Sequence, residues 1–70
     1  MSKLYFECIE GYTTDENLVV AQGDILQFLE SEEGMLYFTG IAGWCEGIEM
    51  NFTPKIVAKH FKSIHLQYTV

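Results

Sequence analysis

Hydrophobic and polar positions along this chain alternate or cluster in short runs, and a helical period occurs only once. "KLYFECI" (3–9) alternates loosely and mixes aromatic with β-branched residues, which predicts a strand. "EGYTTDEN" (10–17) is acidic and rich in turn formers and predicts a long polar loop. "LVVA" (18–21) is a short apolar run ended by "QGD", where Gly23 supplies a turn. "DILQFLE" (24–30) is a clear strand. "SEEG" (31–34) reads as a tight turn, and "MLYFTGI" (35–41) as the next strand. "AG" (42–43) predicts a hairpin turn that returns through "WCEGIEM" (44–50).

The period changes at Thr53. Thr followed by Pro54 is a helix start, with Thr as N-cap and Pro at the first helical position, where its missing N–H costs nothing. At the helical spacing Lys55, Lys59 and Lys62 fall within about 60° of one another, with Ile56, Val57, His60, Phe61 and Ile64 on the opposite side. Phe52, just before the cap, is read first as a staple for this helix and second as lining the surface of the acidic loop. "SIHLQYTV" (63–70) then alternates strictly, so the helix is expected to end near Lys62 and a closing strand to follow. The expected architecture is mainly β: a small five-stranded antiparallel barrel with a short amphipathic helix before the last strand. A barrel leaves few sheet edges unpaired, which suits strands too few for a two-sheet sandwich.

Composition narrows the function classes. Seventy residues, 49% of them hydrophobic and without a low-complexity run, predict one folded domain spanning 1–70. The N-terminus carries no export signal and no apolar run reaches membrane-spanning length, so the expected location is the cytoplasm, away from membranes. All ten carboxylates lie in residues 1–52 against a single lysine, a net of −9, while residues 53–70 carry three lysines, a net of +3. With no arginine at all, direct nucleic-acid binding is not expected. A field of this sign favours a basic partner.

Candidate chemistry changes little. Cys8, Cys45, His60 and His65 supply four metal-ligating side chains, but a structural zinc site shows a close C-x₂₋₄-C pair and 36 residues separate these cysteines. Two buried free thiols in a reducing compartment are expected instead, with no metal and no cofactor. Nothing in the spacing sets either cysteine beside a histidine and a carboxylate for nucleophilic work, and no glycine pattern cradles a phosphate. The chain is expected not to be an enzyme.

The order of strand, long acidic loop, three-stranded meander, helical turn and last strand is similar to the Src-homology-3-like barrels. "DENLVVAQGDILQFLE" (15–30) resembles that family's passage from its acidic RT loop through a glycine–acid turn into the second strand. The chain also looks like short bacterial and phage proteins of that fold, through its "CI…Y" opening and its "P-K" helix. The resemblance implies a protein-binding module, plausibly a small regulator or inhibitor. Its departures concern the polyproline groove. Counted back from Gly23, the family's A-L-Y-D-Y motif falls on Phe6 to Glu10, so two groove tyrosines become Cys8 and Glu10. The family's groove tryptophan corresponds to Met35 or to Trp44, and its P-x-N-Y turn is echoed by "MNF" (50–52) or "PKIV" (54–57).

Tyr12, Asp15 and Glu16 of the acidic loop, together with Trp44, are therefore the expected partner-binding residues. Carboxylates there would capture Lys or Arg of another protein, and the aromatic rings would anchor it. Trp44, the single tryptophan, is read first as a half-buried core residue and second as a binding anchor. Two other classes compete: an acidic nucleic-acid mimic using "ESEEG" (30–34) with Glu46 and Glu49, and a structural or assembly protein.

Overall fold

The runs 24–30 and 35–41 become the two longest strands and form the centre of the sheet. The computed structural model describes residues 3–14 and 16–64. Within them the order is β1 (Tyr5–Cys8), β2 (Tyr12–Thr13), β3 (Val19–Val20), β4 (Ile25–Glu32), β5 (Met35–Ala42), β6 (Glu49–Phe52), α1 (Pro54–His60) and β7 (Phe61–Ile64). Five strands make one antiparallel sheet in the order β6-β5-β4-β1-β7, and β2 pairs with β3 in a separate hairpin. The molecule is mainly β with one short helix. No helix among the described residues is long and apolar enough to cross a membrane.

The β4–β5 hairpin turns on Glu33 and Gly34, both at positive φ (51° and 81°), as a two-residue turn that follows the strand twist requires. Ser31 and Glu32, expected in the turn, instead continue β4 opposite Leu36 and Met35. The register shifts between Phe28 and Glu30, so Leu29 has no direct partner and points outward while β4 bends.

Two further expectations are corrected. The polar loop at 10–17 is itself partly a strand: Tyr12 pairs with Val20 and Thr13 with Val19. Its tip closes by Thr14 N–H donating to Leu18 O (2.9 Å) and Leu18 N–H donating to Thr14 Oγ1 (3.1 Å), with Asn17 left-handed at φ 65°. The second correction concerns residues 43–48, which form a loop rather than a two-residue turn and strand, so the returning strand begins only at Glu49. Cys45 causes this. Its side chain drops into the core, and the chain must fold back over β5 to place it there.

The helix starts as expected, Thr53 Oγ1 accepting from Ile56 N–H at 3.3 Å. It ends two residues early, at His60, because Phe61 adopts extended backbone and its side chain turns into the core. Phe61 to Ile64 then pair with Cys8 to Tyr5, which makes β7 the neighbour of β1. The expected closing strand beyond Ile64, with His65, lies outside the described residues.

The core is an aromatic cluster centred on Phe38. Phe6 and Phe28 meet it edge-on at 5.5 and 5.6 Å between ring centroids, and Phe61 stacks on it at 6.5 Å. Phe52, Leu26, Val20, Met50 and Val57 complete it, together with Cys8 and Cys45. Phe52 and Val57, flanking the helix cap, are both buried, as a hydrophobic staple requires.

Candidate functional site

The β2–β3 hairpin stands beside β6 and the start of α1, and the gap between them is an open groove of about 330 Å³. Tyr12 forms one wall. Its ring meets Phe52 edge-on at 5.7 Å and lies tilted against the His60 imidazole at 4.8 Å. His60 is held in turn by its Nδ1, which lies 2.9 Å from the Glu10 carbonyl; a carbonyl only accepts, so Nδ1 carries the proton. The His60 carbonyl receives the N–H of Ile9 at 2.8 Å, tying the end of the helix to the start of the hairpin. The wall is thus braced on both sides.

Met35, Met50, Phe52 and Ile56 contribute apolar surface to the groove, and Glu16 and Glu49 contribute carboxylates. None of the described residues that line it is basic. Methionine side chains adapt to varied shapes, so this floor suits an apolar side chain of variable form. The carboxylates suit a cationic group, and the exposed Asn51 adds an amide donor and acceptor.

The expected binding residues do not form one surface. Tyr12 and Glu16 line the groove, and Asp15 lies outside the described residues. Trp44 is not part of the groove: it follows the far end of β5, while Met35, at the near end, lines it. Trp44 is also no core residue, being 80% exposed. Its neighbours explain this. Cys45 takes the inward position, and Gly43 lies so close to Asp24 that a β-carbon on it would stand 2.0 Å from Asp24 Oδ1. Both sides of Trp44 are occupied by the loop's own anchors, and the indole turns outward. Sequence reasoning offered Met35 only as one of two counterparts of the family's groove tryptophan, read Phe52 first as a helix staple, and did not single out Met50 or Ile56, because apolar residues in strands and helices signal core and reveal nothing of a gap beside them.

The cysteines are fully buried and free. Cys8 Sγ lies 3.2 Å from the carbonyl of Glu10, to which its thiol donates. Burial raises the pKa of both thiols, and Cys45 is pushed up to about 11, chiefly by desolvation and then by the charge of Asp24. An activated nucleophile needs the opposite shift and an open approach. Asp24 itself is 4% exposed and accepts the Ala21 N–H at Oδ2 (3.0 Å), closing the turn that ends in β4. Among the described residues no three His, Cys, Asp or Glu side chains converge to hold a metal ion. Comparison with models of protein families, with curated proteins and with solved structures finds no match to this chain.

Proposed function

We propose that this chain is a non-catalytic protein-binding module, a small Src-homology-3-like barrel that takes a cationic, extended segment of a partner protein in the groove beside Tyr12. The observation that carries this reading is the groove's composition: an apolar floor of Met35, Met50, Phe52 and Ile56 with carboxylates at Glu16 and Glu49 and, among the described residues, no basic group. The strand order and the braced β2–β3 hairpin support the barrel reading, and the place of Met35 at the groove supports its correspondence to the family's tryptophan. Cys8 is buried and cannot stand in for a groove tyrosine, so a proline-rich helix lacks its usual aromatic slots. A segment of alternating arginine and leucine fits better, its guanidinium groups on the carboxylates and its apolar side chains on the floor. Such a module acts by occupying a partner's basic segment, as a regulator or inhibitor does.

The test is an NMR titration of the whole chain with a ten-residue peptide alternating arginine and leucine. Shifts are expected at Tyr12, Met35, Phe52 and Ile56. The double variant Glu16→Lys/Glu49→Lys should weaken binding at least tenfold, about 1.4 kcal/mol. Undiminished binding by that variant, or shifts confined to other faces, would refute the groove as the site. The acidic-mimic reading spreads the contact over Glu30, Glu32 and Glu33 as well, so charge reversal at those three exposed positions separates the two.

A further inference from the structure

We infer that the loop carrying Trp44 is a second docking surface, separate from the groove, which takes an arginine-bearing segment of a partner protein against the indole. Three observations meet there. First, Trp44 is the most exposed large apolar side chain among the described residues, at 80%, with Ile48 partly exposed on the same loop.

Second, the loop is rigid where it holds Trp44. Gly40 N–H donates to Ile48 O and Gly47 N–H to Gly40 O, both at 2.9 Å, and Ile48 N–H donates to Cys45 O at 3.0 Å. Cys45 is fully buried, Gly43 packs on Asp24, and Gly40 lies against the Cys45 carbonyl. The left-handed φ angles of Gly43 (97°) and Gly47 (80°) permit this path. An exposed indole on a fixed backbone binds without first ordering its loop.

Third, the loop's own charge is of one sign. The ionisable side chain exposed on this loop is Glu46, and no Lys, Arg or His occurs anywhere between Lys3 and Lys55. An indole face attracts a cation through its quadrupole, most effectively a stacked guanidinium, and a nearby carboxylate takes the guanidinium's N–H groups. The same charge disfavours two other occupants, an anionic lipid surface and a second acidic copy of this chain. Met35 and Trp44 flank opposite ends of an eight-residue strand, about 20 Å apart at the usual rise per residue. The groove and the Trp44 loop can therefore be filled at once, either by two partners or by two segments of one.

Because Trp44 is the only tryptophan, its fluorescence reports this surface in the unmodified chain. The probe is a short acetylated peptide, Gly-Arg-Gly-Arg-Gly, compared with the same peptide carrying neutral citrulline in place of arginine. A saturable change in Trp44 emission is expected with the arginine peptide, at least tenfold weaker with citrulline. Glu46→Lys, a change at an exposed side chain, should abolish it, and Glu16→Lys in the groove should leave it unchanged. No response to arginine, an equal response to citrulline, or indifference to Glu46→Lys overturns the proposal. So does loss of the response in Glu16→Lys, which would assign it to the groove. A blue shift that grows with protein concentration alone would assign the loop to a second copy, and one driven by phosphatidylserine vesicles to a membrane; each also overturns it.

Discussion

Asp24 and Cys45 show how one acidic and one thiol side chain share a buried site. The carboxylate is fixed by the Ala21 N–H, and burial of the Cys45 thiol, reinforced by that carboxylate's charge, favours the neutral thiol. Its pKa is raised above the ordinary 9.0 to about 11, so the folded state resists ionisation that the unfolded chain accepts. The stabilisation is therefore complete below pH 9 and is lost as pH rises toward about 11. Thermal midpoints should fall across that window, and Cys45→Ala should shallow the fall; thermal melts at stepped pH measure both. A wild-type midpoint that stays level from pH 8.5 to 11 would contradict the arrangement.

At the scale of elements, the 43–48 loop is the part whose geometry is most tightly specified. A β-carbon on Gly40 would lie 1.9 Å from the Cys45 carbonyl oxygen, a backbone atom that cannot rotate away. Gly40→Ala must displace the loop, and a loss of about 3 kcal/mol is expected, at the upper end of overpacking changes in cores. Gly34→Ala makes a useful comparison, because nothing crowds that position and only its positive φ opposes the change. Its cost should stay near 1 kcal/mol. Urea unfolding of both variants decides the matter, and equal losses would show that strain at positive φ outweighs the steric contact.

For the whole molecule, the decisive fact is the small size of the core. Phe38 sits at its centre and touches rings from β1, β4, β6 and β7. Truncating such a residue costs about 3–5 kcal/mol, comparable to the entire stability of a small domain. Phe38→Ala should therefore be largely unfolded at 37 °C by near-ultraviolet circular dichroism, whereas Leu29→Ala, on the outward side of the bulge, should remain folded. The ion pair between Lys62 and Glu7 is largely exposed and long at 3.8 Å, and contributes little in comparison.

Much of this architecture was legible in the order of residues, because it rests on local rules. Alternation in 24–30 and 35–41 specifies strands with one buried face, and the Thr53–Pro54 pair starts a helix whatever surrounds it. Glu and Gly at 33–34 tolerate the turn, and the bias of carboxylates toward residues 1–52 is a property of composition. Tertiary structure decided the rest. Whether Trp44 or Cys45 faces inward depends on which fits beside Asp24, and a thiol fits where an indole does not. The end of the helix depends on Phe61 finding the Phe38 cluster, a contact 23 residues away in the chain. The groove exists only because the β2–β3 hairpin stands off from β6, with Tyr12 braced between Phe52 and His60. Alternation determines which face of a strand is apolar; only packing against distant segments determines whether that face is closed or left open to a partner.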